Sequence, residues 1–175
     1  MRKGILIAAV LIAAVLIAAA FFFFRDSSAK LEPNQTADKI VIIKSAHTMT
    51  LYSSGRSIKT YKVALGRGDG DAKQHRGDHE TPEGNYLIDA KNAQSRFHLS
   101  LHVSYPNAED KARARSLTLP TGGDIMVHGT EPKFAWLGGL QHDLDWTDGC
   151  IAITNKEMDE VWRAVPIGTP IEIRH

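Results

Sequence analysis

Trp146-Thr147-Asp148-Gly149-Cys150-Ile151-Ala152-Ile153-Thr154-Asn155-Lys156-Glu157 is the stretch from which the rest of the chain is read. A glycine turn leads into a short apolar strand over residues 151–153. A capping box follows, with Thr154 as helix cap and Glu157 three residues on. The helix it opens carries Met158, Val161, Trp162 and Val165 on one face, and Pro166 and Gly168 end it. Ile171-Glu172-Ile173 forms a last strand.

Working outward, strand signals dominate. Residues 39–44 are a β-branched run, 49–52 follow, Gly55 marks a turn, and 57–65 alternate. Residues 66–80 are glycine-rich and charged. They lack Gly-Lys-Ser/Thr, so they read as a long surface loop and not a phosphate cradle. Thr81-Pro82-Glu83-Gly84 enters a strand over 85–89. In 97–105, Phe97, Leu99, Leu101 and Val103 fall on one face and His98, Ser100 and His102 on the other. Residues 124–128 form another strand, and a helix-like stretch starts near Asn107. The fold class is mainly β with one or two helices, a β-rich α+β arrangement whose short strands suggest antiparallel pairing.

Residues 5–24 are unbroken apolar, preceded by Arg2 and Lys3. At about 1.5 Å per residue they reach about 30 Å, the thickness of a bilayer core. They are expected to form one N-terminal transmembrane signal-anchor, with residues 1–4 cytoplasmic, 25–37 a polar tether and 38–175 the catalytic domain. Ala18-Ala19-Ala20 leaves cleavage by signal peptidase open. The domain is therefore expected in the periplasm, anchored to the inner membrane or released into the periplasm after cleavage.

With 21 basic and 20 acidic residues the chain has no basic face, so nucleic acid is excluded as a partner. Lys111, Arg113 and Arg115 read as a solvated helix face. A zinc site is not expected. His75 and His79, like His98 and His102, are four apart, and on a strand that separates them by about 13 Å. His98 and His102 read as lining for the open face of a sheet, and so as substrate-groove candidates.

Cys150 is the single cysteine, so no internal disulfide forms, and a leftover thiol in an oxidising compartment is a candidate reactive group. A free thiol is only about 3% thiolate at pH 7, and a hydrogen-bonded imidazole raises that fraction. His128, at the end of its own strand in Val127-His128-Gly129, is the candidate base. The N–H groups of Asp148, Gly149 and Cys150 could form an anion-binding nest for a developing oxyanion. The plain alternative is that Cys150 is a small buried hydrophobe.

The pattern His128-Gly129 followed by Thr147-x-Gly149-Cys150, with Thr81-Pro82-x-Gly84 before a strand, resembles the L,D-transpeptidase catalytic domain of bacterial cell-wall enzymes. The resemblance covers nearly all of residues 38–173. Ser95-Arg96-Phe97-His98-Leu99-Ser100-Leu101-His102, residues 123–129 and 145–162 resemble a proteobacterial subgroup, some of whose members cut peptidoglycan–lipoprotein links. The resemblance implies a β-sandwich and an enzyme that needs no cofactor. Cys150 would attack a stem-peptide carbonyl at the L-centre of diaminopimelate, D-alanine would leave, and an amine or water would resolve the thioacyl-enzyme. His128 would manage the protons, and the Gly129 carbonyl would orient its ring.

Implied partners are peptidoglycan stem peptides and an outer-membrane lipoprotein attached to peptidoglycan. Implied roles are cell-wall biogenesis and cell shape, with sensitivity to carbapenems. Cross-linking or protein attachment, hydrolysis of peptidoglycan or peptidoglycan–lipoprotein links, and non-catalytic peptidoglycan binding remain three outcomes. Two departures stand out. Many family members have His where this chain has Asp148, and Arg where it has Ala152. Arg96, Arg67 or Arg76 are candidates to supply the missing guanidinium, and Thr147 joins the substrate-groove candidates.

Overall fold

The computed structural model describes residues 31–175. The expected anchor over residues 5–24 and residues 25–30 of the expected tether lie outside the described residues; the rest of the tether is packed on the domain, with Leu31 and Ala37 buried in the core. Among the described residues, no helix is long and apolar enough to cross a membrane.

Eight strands form one ladder: β1 (Lys39–Ile43), β2 (Thr48–Ser53), β3 (Arg56–Lys62), β4 (Gly84–Ser95), β5 (His98–Val103), β6 (Met126–His128), β7 (Ile151–Ala152) and β8 (Pro170–Arg174). Their spatial order is β3-β2-β1-β8-β4-β5-β6-β7. Most pairs are antiparallel, as the short strands suggest. The exceptions are β1–β8 and β6–β7, which run parallel. Both parallel pairs join strands distant in sequence or linked by a long excursion, as parallel pairing requires.

The sandwich expectation is corrected to a single sheet that curls on itself. Strand β4 is the pivot. Its first residues, Gly84–Leu87, pair with β8, and from Ile88 onward it pairs with β5. Register shifts between Ile88 and Ala90 and between Asn92 and Ser95 bend it, as bulges do. The two outer strands then meet. Past β3, Ala64 exchanges both backbone hydrogen bonds with Ala152 of β7, at 2.9 and 2.8 Å. Thr147 and the segment 65–67 add two more, at 3.1 and 3.0 Å. Pairing the two edges removes the exposed rows of donors and acceptors that an open sheet presents.

The concave interior holds Ile40, Ile42, Met49, Leu51, Ile88, Leu101, Val127, Ile151 and Ile171, all essentially inaccessible to solvent. Helix α1 (Ala108–Ser116) is capped by Asn107, and helix α2 (Asn155–Ala164) by Thr154. Both caps are reciprocal: Glu157 accepts from the Thr154 N–H at 2.9 Å while Thr154 Oγ1 accepts from the Glu157 N–H at 3.3 Å. Helix α2 buries Met158, Val161 and Ala164 in the core, with Trp162 half-buried, as its apolar spacing predicts. Between β6 and β7, Pro132–Asp143 forms 3-10 turns broken at Gly138 (φ 53°, ψ −132°). On this strap the apolar side chains of Phe134, Trp136 and Leu140 are exposed.

Candidate active site

The β6–β7 pairing brings the two chemistry-bearing residues together. His128 stands opposite Ala152, and Val127 opposite Ile151. Paired residues point to the same face and successive ones alternate. Cys150, two positions before Ala152, therefore shares the face of His128, displaced along the ladder by about 7 Å. Both line a cavity of about 670 Å³, together with Arg96, Phe97, Glu131, Trp146 and strap residues.

The imidazole is held on three sides. Its ring stacks on Phe97 with centroids 4.5 Å apart and meets the edge of Trp146 at 5.9 Å. His128 Nδ1 lies 2.6 Å from the Gly129 carbonyl oxygen. That oxygen can only accept, so Nδ1 carries the proton and Nε2 of the neutral ring is the free base. Gly129 is a glycine for a packing reason. A Cβ there would sit 2.5 Å from Asn155 Oδ1 and 2.9 Å from the Phe97 carbonyl oxygen. Asn155 Oδ1 needs that space to accept from the Thr130 N–H at 2.6 Å.

Thr147 fixes the turn before Cys150. Its hydroxyl accepts from the Gly149 N–H at 3.1 Å and donates to the Cys150 carbonyl at 2.7 Å. Gly149 has φ +121°, and a Cβ there would lie 2.5 Å from the Glu80 carbonyl oxygen. Thr147 lines the cavity, with its hydroxyl proton committed to the backbone. The Gly149 N–H is likewise occupied, which leaves Asp148 and Cys150 as the turn's candidate oxyanion donors.

Cys150 Sγ donates to the Asp124 carbonyl, 3.6 Å away. Burial pushes the thiol pKa up, the Asp148 and Asp124 carboxylates push it further, and the Met126 N–H and Lys73 ammonium only partly oppose this. Burial also pulls the His128 pKa down, with the Arg96 charge acting the same way against the Gly129 hydrogen bond. Both shifts favour the neutral forms, thiol and imidazole.

Asp148 is exposed beside Cys150. Its carboxylate is held by Arg67 Nη2 at 2.8 Å and His79 Nδ1 at 2.9 Å. Arg67 is engaged with Asp148 and does not itself line the cavity. Arg76 is also outside it, with its backbone N–H bonded to the Pro120 carbonyl at 2.7 Å. Arg96 alone of the three lines the cavity. His98 and His102 do not line it, contrary to expectation. Antiparallel pairing puts Ser100, not a histidine, across from His128. Each histidine lies one two-residue step away and meets its own carboxylate, Asp159 at 2.7 Å and Asp89 at 2.5 Å. Sequence reading missed Phe97, Glu131 and the strap. The apolar run Phe134-Ala135-Trp136-Leu137 so soon after His128-Gly129 was the available signal.

The sequence profile of the YkuD L,D-transpeptidase catalytic domain matches residues 37–173. YafK of Escherichia coli (strain K12), which carries an L,D-transpeptidase name, is 28% identical over 132 residues, covering 72% of this chain and 46% of YafK. This chain thus spans about half the length of that curated relative. Among solved structures, the helical cell shape determining protein Pgp2 of Campylobacter jejuni superposes with a TM-score of 0.61 at 23% identity, covering 80% of this chain and 48% of Pgp2. Bd1075 of Bdellovibrio bacteriovorus gives 0.55 at 21% identity, over 82% of this chain and 50% of Bd1075. L,D-transpeptidase 3 of Mycobacterium tuberculosis, solved with a faropenem-derived adduct, gives 0.55 at 15% identity, over 79% and 60% of the two chains. These structural likenesses establish the shared fold. The profile match establishes the family: the chain belongs to the YkuD L,D-transpeptidase catalytic-domain family.

Proposed function

We propose that this family member transfers the acyl group of a peptidoglycan stem peptide through a thioester on Cys150, with His128 as general base and acid. The observation that carries the reading is the placement of Cys150 and His128 on one face of the parallel β6–β7 pair, lining one cavity. In this reading Sγ rotates from the Asp124 carbonyl toward the cavity. As Sγ attacks the carbonyl carbon at the L-centre of diaminopimelate, the thiol proton passes to His128 Nε2. The oxyanion is met by the N–H groups of Asp148 and Cys150. The carbon–nitrogen bond to D-alanine then breaks, and the Nε2 proton goes to the departing amine. An incoming amine attacks the thioester, gives its proton to Nε2, and Cys150 leaves and recovers that proton as the thiol.

Water in place of the amine gives hydrolysis, the alternative for a peptidoglycan–lipoprotein link. Non-catalytic binding of peptidoglycan is the third reading. The proposed setting is the periplasm, with residues 5–24 as an inner-membrane anchor.

The test uses defined tetrapeptide muropeptides and the full-length protein. D-alanine release is expected from the wild type and not from Cys150→Ala. Equal release from both would overturn the reading, and binding to sacculi without turnover would favour the non-catalytic one. Product masses separate ligation from scission. A carbapenem is expected to add one drug mass at Cys150 alone.

A further inference from the structure

Asp148 sets an electrostatic problem for the site. A carboxylate two residues before the Cys150 thiol opposes loss of its proton, and Asp124 adds a second negative charge. Lys73 acts the other way, but its ammonium is already paired with Asp78 at 2.6 Å. The loop between β3 and β4 brings two more groups to bear on Asp148. Arg67 Nη2 and His79 Nδ1 converge on the same oxygen, Oδ1, at 2.8 and 2.9 Å. Neither residue lines the cavity that Asp148 and Cys150 share.

The two contacts differ in kind. A carboxylate only accepts, so His79 donates its Nδ1 proton and the bond needs no charge on the ring. Arg67 carries a permanent positive charge. Both are carried on backbone that is itself tied to the turn before the cysteine. The Arg67 N–H donates to the Thr147 carbonyl at 3.0 Å, and the Gly68 N–H donates to the His79 carbonyl at 3.2 Å. Glu80, the next residue, closes over Gly149. His79 holds a left-handed backbone, φ 57°, where the chain turns toward Asp148.

We propose that Arg67 and His79 are positioning residues for the Cys150 nucleophile: they clamp the Asp148 carboxylate at the cavity rim, Arg67 offsetting its charge and His79 fixing its direction, so that the sulfur can give up its proton as it attacks. This rests on Cys150 being the nucleophile of the acyl-transfer reading and names what makes that thiol usable beside a carboxylate. All three side chains are well exposed, so solvent screens the clamp and its effect on the sulfur is modest.

The experiment follows alkylation of Cys150 by iodoacetamide against pH in the full-length protein. Arg67→Gln should move the midpoint up by about half a pH unit, a roughly threefold slower reaction below the midpoint. Arg67→Lys keeps the charge and should recover most of that. His79→Asn tolerates the left-handed backbone, is too short to reach Asp148, and should move the midpoint the same way by less. Asp148→Asn alone should move it down. In that background Arg67→Gln and His79→Asn should have no effect, because no charge is left to hold. The Arg67→Gln shift should also shrink in about 1 M salt, where the screening length is about 3 Å. The other titratable groups around the thiol, Asp124, Lys73 and His128, stay in place in every variant. An unmoved midpoint in Arg67→Gln, or a shift that survives Asp148→Asn undiminished, overturns the clamp. D-alanine release is read separately. The expected shifts without any release support the clamp and sink acyl transfer. Release with unmoved midpoints does the reverse.

Discussion

At the residue scale, the pairing of a raised thiol with a depressed imidazole sets the pH behaviour. In the proposed mechanism His128 acts as a base only when unprotonated. Burial lowers its pKa, so the active form persists to lower pH than an ordinary histidine allows. Burial raises the Cys150 pKa, so free thiolate appears only on the alkaline side of the ordinary cysteine value. The acid limb of kcat/KM for D-alanine release should fall below the ordinary imidazole range. Iodoacetamide alkylation of Cys150 should rise only above the ordinary thiol range. Fast alkylation at neutral pH would mean a preformed ion pair and would remove the neutral-pair account. Thr147 supplies a second prediction. Thr147→Val deletes the hydroxyl that joins the Gly149 N–H to the Cys150 carbonyl and leaves both unpaired, a cost of about 1–3 kcal/mol. A loss of roughly tenfold in kcat/KM with a melting temperature lower by several degrees is expected, and Thr147→Ser should keep both.

At the scale of elements, the loop between β3 and β4 is held by one carboxylate. Asp78 accepts from the N–H groups of Gln74, His75 and Glu80 at 2.7, 2.9 and 3.1 Å, and from Lys73 Nζ at 2.6 Å. Burial alone would raise its pKa, but the four donors together bring it down to about 2. A carboxyl depressed in the folded state stabilises the protein fully above its unfolded pKa near 4. That contribution is lost as pH falls through about 2. After allowance for solvent screening it is worth about 1–2 kcal/mol. Asp78→Asn should therefore lower stability at pH 7 by that order, with the gap to wild type closing between about pH 4 and pH 2. A gap independent of pH would assign the loss to packing. The same loop abuts Cys150, because Glu80 closes over Gly149, so its order bears on the turn that presents the thiol. On the opposite wall the strap is pinned to the β6 side by the Thr130 hydroxyl donating to Gln141 Oε1.

For the whole molecule, closure of the sheet is the feature on which the site depends. Ala64 and Ala152 exchange two backbone hydrogen bonds across the seam, and Ala152 is two residues from Cys150. Ala64→Pro removes one donor and disturbs the other bond. It should lower stability by about 2–4 kcal/mol and weaken turnover as the seam loosens. A proline there that leaves both thermal stability and activity unchanged would show that the seam is incidental. Closure also explains why so small a domain holds a sizeable cavity. The strap and the curled end of the sheet face each other across it, while the interior of the ladder stays filled by Leu101, Val127, Ile151 and Ile153.

Much of this was legible along the chain because it depends on neighbours in sequence. Alternation named the strands, and the Thr154 and Glu157 spacing named the cap of α2. The order His128-Gly129 then Thr147-x-Gly149-Cys150 named the family before any coordinate did. The lengths of β4 and β6 shifted, since bulges and pairing partners set strand ends. What only the tertiary structure decided are quantities of distance and burial. They include the parallel β6–β7 register, the engagement of Arg67 with Asp148, the exclusion of His98 and His102 from the cavity, and the entry of Arg96 into it. The direction of the Cys150 pKa belongs there too. A thiol's acidity is set by the solvent it has lost and by charges such as Asp124 and Lys73, brought to it across tens of residues. Sequence spacing carries the identity of those groups but not their distance.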